Sequence, residues 1–154
     1  MTIRKNAILF LSSGCGLGYM PFAPGTFGSL AGLPICWLIA QLPLSVALVI
    51  LAGLLAASIW IADQAEKMLQ QKDPGIIVID EICGLVIALI GLPFTFVNVA
   101  LGFVLFRILD IAKPVPITTL ERRLGGGTGI VMDDVAAGIM VNITLRIIAY
   151  LIEI

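Results

Sequence analysis

Charged residues fall in clusters along the chain, and the stretches between them are apolar enough to be helices in lipid. No charge occurs from 6 to 62. A bilayer span needs only about 20 residues, and Gln41-Leu42-Pro43 divides the run. Proline can open a helix without losing a hydrogen bond. The pattern therefore predicts one helix over about 28–40 and a second over about 44–62. Pro34 should kink the first, which neighbouring helices can accommodate. A polar segment, 63–73, and Pro74-Gly75 follow. The next apolar run, 76–92, is interrupted by Asp80-Glu81 and ends at Gly91-Leu92-Pro93. A further run, 94–106, stops at Arg107. A polar stretch over 107–134 contains Pro114, Pro116 and the glycine-rich segment 125–129. The last helix is expected over about 134–154.

These elements predict an all-α fold, a polytopic membrane helix bundle of two hairpins plus a C-terminal helix. It forms one domain over 1–154, with some arms short enough to tilt or re-enter. Composition supports lipid as the solvent. Apolar residues make up 60% of the chain and charged ones 12%, against about 45–50% and about 25% in a soluble domain. Mean hydropathy is +1.12. A soluble fold of 154 residues could not hide so much apolar surface.

Both hairpin turns are uncharged, so the N-terminus, 63–81 and 107–134 share one face of the membrane. Of the nine basic residues, all but Arg146 lie on that face. Short positive loops stay in the cytoplasm, which predicts a cytoplasmic polar face and a C-terminus on the far side. Arg4 and Lys5 precede an apolar run too short for a signal peptide, so the first residues are expected in the mature protein. A net charge of −1 gives no bulk field for nucleic acid. Cys15, Cys36 and Cys83 form no CxxC pair and there is no histidine, which argues against a disulfide frame and a zinc site.

Five carboxylates stand where apolar helix meets polar loop: Asp80, Glu81, Asp110, Asp133 and Asp134. Hairpin geometry brings Asp80 and Glu81 to Asp110, and Asp133 and Asp134 open the last helix on the same face. Acids beside hydrocarbon are costly and mark function by default. Five together repel unless a cation joins them, and such oxygen donors suit magnesium. Taken singly, each has a plainer explanation. Asp80, Asp133 or Asp134 can cap a helix, and Asp110 can pair with Arg107 or Lys113 on one helical face.

Arg107 and Lys113 offer a planar fork and a point charge for phosphate. Arg122 and Arg123 are equally explained by the positive-inside bias. The segment 125–129, with Gly126 and Gly127, is either a flexible turn or a backbone cradle for an anion. It lacks the Gly-Lys-Ser/Thr of a Walker motif. Thr26 and Ser29 can cap the first helix or donate to a phosphate at its N-terminus. A cation transporter or channel with a cytoplasmic carboxylate cluster is the rival reading. A purely structural membrane subunit is a third.

Four segments then carry a family resemblance. Ala23-Pro24-Gly25-Thr26-Phe27-Gly28-Ser29-Leu30 resembles the N-terminal motif of the phosphatidylglycerophosphatase A family. Asp80-Glu81 with Gly84 is similar to its second motif. Phe106-Arg107-Ile108-Leu109-Asp110 with Lys113-Pro114 and Pro116-Ile117 resembles its third. Gly126-Gly127-Thr128-Gly129-Ile130-Val131-Met132-Asp133-Asp134 with Ala137-Gly138 resembles its fourth. Glu121 precedes Arg122 where the family often has aspartate. The resemblance implies a multi-pass enzyme of the bacterial inner membrane. It would hydrolyse phosphatidylglycerophosphate to phosphatidylglycerol and phosphate, with a phospholipid as its partner. The expected Mg2+ ligands are Asp80, Glu81, Asp110, Asp133 and Asp134, with one of them, such as Asp134, as base. Arg107, Lys113, Thr26, Ser29, Gly126 and Gly127 are the expected phosphate-binding residues. Without histidine, no phosphohistidine intermediate can form; an aspartyl-phosphate stays open.

Overall fold

The computed structural model describes residues 2–115, 117 and 124–152. Pro116, Glu121, Arg122 and Arg123 of the sequence reading lie outside the described residues. Among those described there are six α-helices and no strand. They are α1 (Thr2–Ser12), α2 (Pro24–Ala40), α3 (Leu44–Leu69), α4 (Ile79–Leu89), α5 (Phe96–Ala112) and α6 (Gly126–Ile152), with a 3-10 turn at Leu17–Tyr19.

α2, α3, α5 and α6 are longer than the apolar runs that predict them, whereas α4 is shorter than the run 76–92. Charge marks where lipid ends, not where helix ends. α3 continues past residue 62 to Leu69. Asp63-Gln64-Ala65-Glu66-Lys67 contains no helix breaker, and Lys67 pairs with Asp63 one turn back at 2.6 Å. α5 passes through Arg107 and Asp110 to Ala112. It stops at Lys113, which takes φ 40°, because the residue before a proline is excluded from helical geometry. The sequence reading assigns no helix to the first dozen residues, where α1 forms. There the hydroxyls of Ser12 and Ser13 donate to the Leu9 and Phe10 carbonyls, both at 3.1 Å.

α4 is the axis of the bundle. Ten of its eleven residues are buried, and α2, α3, α5 and α6 all pack on it. α2 and α3, the arms of the first expected hairpin, lie against α4 and α6 more than along each other. Gly25 sits at Glu81 and Gly32 at Ile82 and Leu85, so α2 runs parallel to α4. Gly102 meets Leu89 and Leu145, so α5 runs antiparallel to α4 and α6. Lipid supplies no hydrophobic drive between helices, so close approach of small residues must hold them together. α4 and α6 cross at Gly84 and Gly138: a methyl on Gly138 would strike the Gly84 carbonyl, and one on Gly84 would come 2.5 Å from the Phe106 ring. A buried contact of 2.9 Å between Ser58 and Cys83 ties α3 to α4.

α3 and α6 are long and apolar enough to cross a membrane, and only 22% and 28% of their apolar windows is buried. The core helix of a soluble protein would be mostly covered. Large apolar side chains such as Trp37, Val49, Phe96 and Ile147 stand outward, a surface suited to lipid and not to water.

α4 spans only about 16 Å and ends inside the bundle. Its last carbonyls are met from α6. Asn142 Nδ2 donates to the Ile87, Ala88 and Ile90 carbonyls at 3.0–3.1 Å. Arg146 donates to Asn142 Oδ1 at 2.8 Å and to the Ile90 and Gly91 carbonyls at 3.3 Å. Arg146, the one basic residue described at that end, thus serves the C-terminus of α4.

Candidate active site

Residues 23–29, 63–66, 78–81, 107–113 and 126–134 meet at one end of the bundle. The first turn of α4 carries Asp80 and Glu81, in the electropositive end of the helix. The N-cap is Val78 and no side chain caps it, so Asp80 has no capping bond. α6 begins at Gly126, not near 134 as expected. Asp133 and Asp134 therefore lie about two turns inside the helix, which removes N-capping as their explanation. The glycines explain the early start. A methyl on Gly127 would come 2.5 Å from the Asp63 amide and also strike the Ile59 carbonyl, so only glycine lets α6 begin against α3.

Asp80, Glu81 and Asp134 each offer an oxygen within 4.8 Å of the other two. A divalent cation about 2.0–2.6 Å from each oxygen can bridge donors so spaced. Asp80 Oδ1 and Glu81 Oε2 are buried without a hydrogen-bond partner, although an anion removed from water costs several kcal/mol unless compensated. Asp110 completes the group beside Glu81 and Asp134. The donor set, hard oxygens with two unsatisfied atoms, fits magnesium or a similar cation.

Two cations frame the acids. Arg107 pairs with Asp110 at 2.6 Å and donates to Ser29 Oγ at 3.5 Å. Ser29 itself donates to the Gly25 carbonyl at 2.9 Å, so Arg107 is tied to the first turn of α2. Lys113 pairs with Asp133 at 2.7 Å, joining α5 to α6. The plainer reading of Asp110, a pair with Arg107, is therefore realised, but within the cluster. Five carboxylates against these two cations leave an excess of three negative charges when all are ionised, which a divalent cation would largely offset.

Thr26 sits at the edge, lining a recess with Arg107. Gly126 and Gly127 are not brought to the triad. Gly127 lies against Asp63 of α3, and Gly126 borders a small hollow with Glu66, Lys72, Asp73 and Asp133. The anion at the glycine segment is the protein's own Asp63. Sequence reasoning missed Gly25 as a site residue: a methyl there would strike Glu81 Oε1 and lie 3.0 Å from both terminal nitrogens of Arg107. Its place in the first motif was the available signal.

Fold and site together define a lipid-exposed helical bundle with a buried carboxylate cluster, able to hold a metal, flanked by phosphate-competent cations. The family model for phosphatidylglycerophosphatase A matches residues 10–149. Phosphatidylglycerophosphatase A of Escherichia coli (strain K12) is 42% identical over 138 residues, covering 88% of this chain and 80% of that protein. The Haemophilus influenzae protein of the same name is 35% identical, covering 94% and 90%. A putative phosphatidylinositol-3-phosphatase of Bacteroides thetaiotaomicron is also 35% identical, covering 94% of each chain. No solved structure matches significantly. The chain belongs to the phosphatidylglycerophosphatase A family. The transporter reading gives way to that membership.

Proposed function

We propose that this protein is a magnesium-dependent lipid phosphatase that converts phosphatidylglycerophosphate to phosphatidylglycerol and phosphate. The observation that carries the reading is the triad Asp80, Glu81 and Asp134, with two unsatisfied buried oxygens, beside Arg107 and Lys113.

Asp80, Glu81 and Asp134 would hold the metal, with Asp110 and Asp133 at its flanks. Bound there, magnesium supplies Lewis acidity toward the phosphoryl oxygens and an acidified water. Arg107 and Lys113 face the charge that develops on those oxygens. Asp110 and Ser29 orient the guanidinium, and Asp133 orients the ammonium. Water adds its oxygen to phosphorus and yields a proton to a carboxylate of the cluster. The phosphorus–oxygen bond to glycerol breaks, and the leaving oxygen takes up a proton. Thr26 remains a candidate for the head group; Gly126 and Gly127 serve helix packing instead.

α3 and α6 cross the membrane in this reading, with α4 a shorter helix that starts at the site end. Both long helices are about 39–40 Å in a core of about 30 Å. The surplus, about six or seven residues, matches 63–69 of α3 and 126–132 of α6. Asp133 and Asp134 then fall at head-group depth. Arg4, Lys5, Lys67, Lys72, Arg107 and Lys113 stand at that end, so it faces the cytoplasm of a bacterial inner membrane.

The name of the Bacteroides relative favours one variation, a phosphomonoester on an inositol head group. The test is phosphate release by purified protein from phosphatidylglycerophosphate, phosphatidylinositol 3-phosphate and phosphatidic acid. Each is assayed with magnesium and again with chelator. Magnesium-dependent release chiefly from the first is expected, with Asp110→Asn at least about 100-fold slower. Chelator-insensitive release, or full activity of Asp110→Asn, sinks the site assignment.

A further inference from the structure

An apolar groove opens on the lipid-facing side of the site. It holds about 470 Å³ and is walled by Thr26 of α2 and by Phe103, Val104, Arg107, Ile108 and Ile111 of α5. That volume lies within the roughly 300–1,000 Å³ of small-molecule sites. Val104, Ile108 and Ile111 recur at i, i+4 and i+7, one face of a helix. They are 53%, 54% and 74% exposed, so none is buried among the described residues. The groove follows α5 for about 10 Å. Its polar groups are Arg107 and Thr26, and Arg107 also belongs to the carboxylate site.

We infer that this groove seats an acyl chain of the lipid substrate, which enters sideways from the bilayer between α2 and α5. The inference rests on the phosphatase reading and adds where the substrate lies. Charge and polarity select the occupant. A membrane lipid has an anionic head that Arg107 attracts and an apolar tail that Val104 and Ile108 can cover. The groove is continuous with the reacting end, so one molecule can fill both. Two other recesses lack that continuity. One, of about 400 Å³, lies between α1 and α3 beside Arg4, Lys5 and Met68. Another, of about 240 Å³, lies at the far end around Leu42, Leu44 and Pro93. Neither is lined by Arg107 or by any other residue of the site.

The test compares two substrates of the full-length protein in mixed micelles: diacyl phosphatidylglycerophosphate and its water-soluble deacylated head group. Val104→Trp and Ile111→Trp fill the groove from exposed positions where the fold tolerates bulk. Val49→Trp, on the outer face of α3 and 73% exposed, is the control for added aromatic surface. In each groove variant the ratio of kcat/KM for diacyl substrate to that for the head group should fall at least ten-fold, mainly through KM. Val49→Trp should keep the wild-type ratio. An unchanged ratio in both groove variants overturns the inference and leaves the groove as bulk-lipid surface or a contact between copies. Wild-type protein that releases phosphate from neither substrate overturns the phosphatase reading itself.

Discussion

Gly25 separates what a residue does for its helix from what it does for the site. Glycine inside a helix costs about 1 kcal/mol relative to alanine, so by propensity Gly25→Ala should stabilise α2. The added methyl would instead displace Glu81 Oε1 and crowd both terminal nitrogens of Arg107. A shift of about 1 Å in such groups can cost about 100-fold in rate. Gly25→Ala should therefore lose about 100-fold in kcat while its thermal midpoint in detergent stays within a few degrees of wild type. Equal loss of fold and activity would show that Gly25 matters only for packing. The carboxylates were legible in the sequence because acids beside apolar runs are expensive. Gly25 was not, since a glycine reveals a close neighbour only when that neighbour is known. The glycine segment shows the same limit: Gly126 and Gly127 look like an anion cradle, and the acid that lies against them, Asp63, comes from another helix.

Among the elements, α4 sets the height of the site, and its far end is held by Asn142. Three carbonyls converge on one amide nitrogen, so loss of that donor deprives all three at once. Asn142→Leu keeps the size and removes the donor. It should cost about 1–3 kcal/mol in unfolding free energy, the penalty of buried acceptors left unmade. Arg146→Met should cost less, because its bonds to Ile90 and Gly91 are longer, at 3.3 Å. Reversible unfolding in mixed micelles checks the order; an Arg146 effect larger than that of Asn142 would contradict it. The sequence singled out Arg146 as the charge in the wrong place but could not say why. Its partners are carbonyls, which every residue has. Helix ends were misjudged where polar residues were taken for loop, as at Asp63 and Arg107. α5 in fact ends at Lys113 rather than at Arg107, because the exclusion before Pro114 is steric and local.

For the whole molecule, the deciding quantity is which side of the membrane receives the carboxylate end. Charge distribution bears on it more than any single contact. Arg4, Lys5, Lys67, Lys72, Arg107 and Lys113 stand at one end and Arg146 at the other. Retaining short basic segments in the cytoplasm is favoured over exporting them. The turn around Gln41 lies at the opposite end, next to Leu44, Gly91 and Arg146. Replacing Cys15, Cys36 and Cys83 by serine or alanine leaves a background on which single cysteines report sidedness. Lys72→Cys and Gln41→Cys both sit at exposed positions. A membrane-impermeant maleimide should label Lys72→Cys in inverted vesicles and not in intact spheroplasts, and Gln41→Cys in spheroplasts only. The reverse pattern would put the phosphatase site outside the cytoplasm, and labelling of both from one side would mean that α2 and α3 do not carry the chain across.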